Sequence, residues 1–141
     1  MKYLLGIDIG TSGAKIIIID EKAIIKNSET IEYPVFTPKT NWAEQNPLDW
    51  KQATLTGIRK IIEKSDINPS DIKAVGLTGQ MHGSVFLDKN FKVIYPAILW
   101  CDQRTTKECD EINEIIGKKR IFEITSNPVL TGFQAPKIIW L

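Results

Sequence analysis

Asp8, Thr11, Ser12, Gly13 and Lys15 stand close together near the amino end of the chain. A carboxylate, two hydroxyls, a glycine and an amine in that order can hold a phosphate chain together with its counter-ion. Glycine lets backbone N–H groups converge on an anion because no Cβ blocks the approach. Lys15 adds a point charge beside that anion. Asp8 would repel bare phosphate, so its place at the same mouth implies a cation between them, and Mg²⁺ with its water shell is the natural one. Taken alone, the stretch reads equally well as an ordinary buried hairpin whose Asp8 hydrogen-bonds its own turn. It is neither a P-loop, since no Gly-Lys-Ser/Thr opens a helix, nor a dinucleotide fingerprint, since the chain returns as a strand.

A second group is Gly79-Gln80-Met81-His82-Gly83, which holds the only histidine of the chain. Two glycines bracket an amide, a thioether and an imidazole at the end of a strand-like run. In open α/β sheets ligands collect beyond the carboxyl ends of strands. Hydrogen-bonding Gln80 and His82 around apolar Met81 suit a polyol with one apolar face. The plainer reading is a histidine bonded within a tight turn.

The elements that must position these groups follow from periodicity. Leu4–Ile9 and Ile16–Asp20 are apolar runs of strand length around a Gly-Thr-Ser-Gly turn, a hairpin. Further strand character over 23–36, ended by Pro34 and Pro38, extends it to an antiparallel meander. A polar loop over 37–46 carries Trp42, which together with Trp50 reads as a brace. Asn46-Pro47-Leu48-Asp49 starts a helix that runs to about Lys64, with Leu48, Leu55, Ile58 and Ile62 as its buried stripe. Ile72–Thr78 is the next strand, parallel to the first through that helix. Strands follow at Ser84–Leu87 and Val93–Trp100. Helices follow over 102–117, with Thr105, Cys109, Ile112 and Ile116 inward, over 118–124, and from 131 onward. Asp102 and Arg104 read as a local ion pair at a helix start rather than as ligand contacts. The class is α/β.

Composition is that of an ordinary globular chain: 141 residues, 43% hydrophobic, 25% charged, net charge +1. That length allows one domain with a real core. No basic stripe points to nucleic acid and no apolar run to a membrane span. Without a leader-like start, a cytoplasmic protein is expected. Cys101 and Cys109, if on one helix, lie about 12 Å apart along its axis, too far to bridge, and are expected reduced. The chain stops on Ile138, Ile139, Trp140 and Leu141 without a cap, which suggests a fragment. Apolar surface around Phe133, Ile138, Ile139 and Trp140, where the rest of the lobe would pack, should make copies of the isolated chain associate or swap, and a homodimer is expected as a further state.

Five stretches together carry a resemblance: Gly6–Lys15, Trp42–Pro47, Gly79–Gly83, Ile98–Arg104 and Gly132–Lys137. The chain resembles the N-terminal part of the FGGY carbohydrate kinases, an actin-like ATPase family, and among them the xylulokinases, with gluconokinase-like relatives less close. Cys101, where relatives often carry Asn, is one departure. The resemblance implies a ribonuclease-H-like N-terminal lobe over 1–141: a mixed sheet opening with an antiparallel meander, flanked by helices and incomplete, with the C-terminal lobe absent. It implies transfer of the γ-phosphoryl of ATP to the 5-hydroxyl of D-xylulose with Mg²⁺. Thr11, Ser12, Gly13 and Lys15 would bind nucleotide phosphates, Asp8 would orient Mg²⁺ through water, and Met81 and His82 would contact the sugar. The family's general base is an Asp beyond residue 141, so this piece alone is expected to be inactive. A non-catalytic sugar- or nucleotide-binding domain and an actin- or chaperone-like switch are the alternatives, the last leaving His82 and its glycines unexplained.

Overall fold

The computed structural model describes all residues from Met1 to Leu141. In chain order the elements are β1 (Tyr3–Ile9), β2 (Gly13–Asp20), β3 (Ile25–Glu32), β4 (Glu44–Gln45), α1 (Pro47–Ser65), β5 (Ile72–Gly79), β6 (Ser84–Leu87) and β7 (Val93–Ile98). Three helices close the chain: α2 (Thr106–Ile116), α3 (Lys118–Thr125) and α4 (Gln134–Trp140). They fall into two compact units, one of residues 1–34 and 46–80, the other of 35–45 and 81–141.

The first unit is a four-stranded sheet in the order β3-β2-β1-β5. β1, β2 and β3 form the expected antiparallel meander, and β5 joins β1 in parallel. This is the mixed sheet of a ribonuclease-H-like lobe. Alternation along β1 and β2 puts Leu5, Ile7, Ala14, Ile16 and Ile18 on one buried face, where they meet Ala53 and Ile61 of α1. Each such leucine or isoleucine contributes about 1.5–3 kcal/mol on burial. The alternate residues, including Asp8 and Lys15, lie on the other face. The pairing is irregular only at the far ends, between Tyr3 and Leu4 and between Ile18 and Ile19. Toward the turn it runs unbroken.

α1 begins as read: the Asn46 side chain accepts from the Leu48 N–H at 3.1 Å, and Pro47 takes the first helical position. Its buried face differs from the expected stripe. Leu48 and Leu55 are exposed, whereas Ala53, Gly57 and Ile61 are buried and Ile58 and Ile62 half-buried. Small residues decide this. A Cβ at Gly57 would stand 2.3 Å from Ile16 Cδ1, so the helix lies too close to β2 for a larger side chain.

The second unit holds a three-stranded antiparallel sheet in the order β4-β7-β6, with α2, α3 and α4. β4 lies in the stretch expected to be loop and is only two residues long. α2 starts later than expected because the Asp102 side chain accepts from the Arg104 N–H in a turn before it. Within the expected stripe of α2, Thr105, Cys109 and Ile112 are buried, while Ile116 is exposed. Neither cysteine is bridged; Cys101 is exposed and Cys109 buried. No helix is long and apolar enough to cross a membrane. At the end of the chain Ile138 and Ile139 are exposed as expected, but Trp140 is half-buried, with its ring 5.5 Å from both Trp42 and Tyr95.

Candidate active site: a phosphate hairpin and a histidine loop

The turn between β1 and β2 is closed by the Gly10 N–H, which donates to the Gly13 carbonyl at 3.0 Å. Gly13 is a steric requirement. A Cβ there would lie 2.8 Å from the Ile31 carbonyl oxygen, a backbone atom of the neighbouring strand. Thr11 is half-buried and Ser12 exposed at the tip.

Register then aligns the charges. Asp8 pairs with Lys15 on β2 and with Thr78 on β5, so an amine, a carboxylate and a hydroxyl form a row across three strands. All three are exposed. They line a groove of about 490 Å³ on the sheet face away from α1, floored by Ile17, Ile25 and Leu77.

Two residues from outside the hairpin hold this turn. The Tyr33 hydroxyl donates to the Gly10 carbonyl at 2.6 Å, and the Tyr33 N–H to the Ser12 carbonyl at 3.3 Å. Burial, with the nearby Asp8 charge, pushes the Tyr33 phenol up to about 12. The Thr11 hydroxyl donates to Gln80 Oε1 at 3.2 Å, and the Gln80 N–H to the Ile9 carbonyl at 2.8 Å. Gln80, expected beside His82 as a ligand for a polyol, faces the hairpin instead. No local pattern announces either brace, since the partners are 23 and 69 positions away.

In the second unit, Met81 and His82 are exposed. His82 has a left-handed backbone, φ 59°, and its ring packs on Phe133 with centroids 4.7 Å apart. Behind it lies a cavity of about 480 Å³ walled by isoleucines of α2 and α3 with Phe133 and Pro136. That lining suits hydrocarbon rather than a sugar.

The same unit contains a buried ionic cluster. Arg104 bonds Asp102 and Glu44, each at 2.7 Å, with its side chain 1% exposed. Its guanidinium lies 3.7 Å from the Trp42 ring centre. Asp102 also accepts from the Ala43 N–H at 2.7 Å. The expected local pair of Asp102 and Arg104 is therefore real, and its third member, Glu44, comes from β4. Trp42 is a brace as read.

The family model of the N-terminal domain of the FGGY family of carbohydrate kinases matches residues 3–141. The chain belongs to that family. It is 44% identical over 144 residues to a xylulose kinase of Lactococcus lactis subsp. lactis, covering all of this chain and 28% of that protein. Among solved structures, a xylulose kinase from Brucella ovis superposes with a TM-score of 0.91 at 38% identity, over 98% of this chain and 28% of that one. A glycerol kinase from Plasmodium falciparum with ADP gives 0.92 at 26% identity, over 100% of this chain and 28% of that one. This FGGY chain thus spans just over a quarter of the length of these relatives. The observed mixed α/β fold is that of the FGGY N-terminal lobe.

Proposed function

We propose that this chain is the N-terminal lobe of a cytoplasmic kinase that transfers the γ-phosphoryl group of ATP to the 5-hydroxyl of D-xylulose. The observation that carries the nucleotide half is the Lys15–Asp8–Thr78 row beside the braced Gly10–Gly13 turn. The donor set fits a magnesium nucleotide. Lys15 and the Ser12 hydroxyl are exposed for phosphate oxygens, Thr11 and Gly13 shape the turn between them, and exposed Asp8 is placed for a hydrated cation. When bound, Mg²⁺ neutralises phosphate charge as transfer proceeds. Such catalysis is mainly positioning and electrostatics, and the hairpin supplies both by holding its donors on a rigid sheet.

The xylulose assignment is supported by the xylulose kinases among the relatives and by the exposed Met81–His82 loop, which offers an imidazole to sugar hydroxyls. A site built to bond a hydroxyl rejects analogues that lack it. The likeness to a glycerol kinase favours a second reading, in which the same lobe serves another polyol. No residue of this chain is assigned as general base. Such a group contributes about 10²–10⁴-fold, so the 141-residue chain is expected to bind nucleotide without turnover. The isolated 141-residue chain is expected to associate through exposed Ile138 and Ile139, with light scattering as its check.

The test is ADP release by the full-length gene product with D-xylulose, gluconate or glycerol as acceptor. Xylulose should be preferred, and Asp8→Ala should abolish turnover while leaving the fold intact by circular dichroism. Undiminished activity in that variant would remove Asp8 from the mechanism; preference for glycerol would establish the second reading.

A further inference from the structure

Lys137 has no role in the reading above, yet its surroundings single it out. Its side chain is fully buried. An ammonium shielded from water is costly unless hydrogen bonds replace the lost solvent. Nζ donates to the carbonyl of His82 and to the carbonyl of Gly132, both at 2.8 Å. These acceptors belong to two separate loops, and one of them is the backbone of the residue read as the sugar contact.

His82 holds φ at 59°, a region that strains any residue with a Cβ and persists only where neighbours enforce it. The bond from Lys137 falls on that residue's own carbonyl, so it stabilises the left-handed turn directly. The second acceptor is itself immobile. A Cβ at Gly132 would lie 2.5 Å from the Trp100 carbonyl oxygen, so the backbone there is pressed against its neighbour. Phe133, the next residue, supplies the ring on which the His82 imidazole rests. Lys137 and Phe133 therefore hold His82 at both ends, backbone and ring.

We propose that Lys137 is a positioning residue for the sugar acceptor: by gripping the His82 and Gly132 carbonyls it fixes the loop conformation that presents the His82 imidazole to acceptor hydroxyls. The proposal rests on the assignment of His82 as a sugar contact. The alternative is a lysine that merely staples two loops, and the two differ in what they do to acceptor binding. Burial lowers the Lys137 amine to about 8; the charges of Asp102 and Cys101 oppose that shift and Arg104 adds to it.

The experiment compares the full-length gene product with Lys137→Met, Lys137→Arg and, as a control for general loosening of this unit, Cys109→Ala. Lys137→Met should raise the acceptor KM about 10- to 100-fold, the size of effect that a misplaced binding group produces, with the ATP KM unchanged. Lys137→Arg, which keeps a charged donor, should recover part of the loss, and Cys109→Ala should leave the acceptor KM alone. An unchanged acceptor KM, or equal losses for sugar and ATP, overturns the proposal.

Lys137→Gln in the full-length gene product covers the case in which Lys137→Met does not fold: its shorter amide cannot reach both the His82 and the Gly132 carbonyls, so the acceptor KM should rise with the ATP KM unchanged. An unchanged acceptor KM in that variant overturns the proposal. Wild-type protein that binds ATP and phosphorylates no sugar instead overturns the sugar-kinase reading, and this proposal with it. That outcome is distinct from an active wild type whose Lys137→Met variant is indistinguishable from it.

Discussion

The Tyr33 hydroxyl lies 2.6 Å from the Gly10 carbonyl oxygen and donates to it, tying the residue just past β3 to the turn between β1 and β2. Replacing Tyr33 by Phe keeps the ring in the core and removes only this bond. The variant should lose roughly 0.5–1.5 kcal/mol of stability in urea unfolding, the ordinary net worth of such a bond. Nucleotide affinity measured by titration should fall with it, because a looser turn presents its donors less sharply. The phenol is raised from 10.0 to about 12. Between those values the folded chain keeps a proton that the unfolded chain has released, so stability falls as pH rises across that window. Tyr33→Phe should lack this alkaline loss.

Glycines in the sheet should respond very differently to alanine. At Gly13 the new Cβ meets the Ile31 carbonyl oxygen at 2.8 Å and the Glu32 Cα at 3.2 Å, both backbone. Gly13→Ala should cost about 1–3 kcal/mol, as overpacking does. At Gly76 nothing lies within 4 Å, and Gly76→Ala should stay within about 0.5 kcal/mol of wild type. Paired thermal melts decide between them.

Arg104 neutralises Asp102 and Glu44 in a place where water scarcely reaches. Arg104→Met would leave both carboxylates buried without their cation, a loss of about 3–5 kcal/mol. Changing all three members to apolar residues of similar volume should recover much of this, because the burial cost disappears together with the attraction. Calorimetry of the single and triple variants tests the asymmetry.

Two further groups, Asp20 and Lys137, should shape the pH dependence of stability. The Lys26 ammonium and the Ile24 N–H hold the Asp20 carboxyl down at about 2, against 3.8 in an open chain. Its contribution is complete above the higher value and fades as pH falls toward the lower one. Asp20→Asn should flatten that acid limb. Lys137 runs the other way: its amine is lowered from 10.5 to about 8. Between these values the unfolded chain binds a proton that the folded chain does not, so stability rises with pH there. Lys137→Met should remove that rise.

Local signals in the sequence were good guides where neighbours in the chain decide the outcome. The hairpin, the Asn46 cap and the helix over 118–125 needed only alternation, a capping side chain and punctuation. They failed where a distant partner decides. Leu48 and Leu55 looked like core because periodicity weighs large apolar residues, whereas close approach of α1 to Ile16 selects Ala53 and Gly57. Asp8 and Lys15 were readable as a pair from their spacing. Thr78 beside them, Tyr33 and Gln80 behind them, and Glu44 on Arg104 all arrive from other elements, and nothing near them in the chain says so.

Because the irregular pairings sit at the ends of the strands remote from the turn, length changes at opposite ends of β1 and β2 should have unequal consequences. An added residue before Leu4 or around Ala23 meets a ladder that already absorbs a mismatch. One added between Ile9 and Lys15 that shifts β2 by one position would turn the Lys15 amine toward hydrocarbon and a core isoleucine toward solvent. Chemistry and folding are thus guarded by a single count of residues, and evolution could not lengthen this bend by one without rebuilding both.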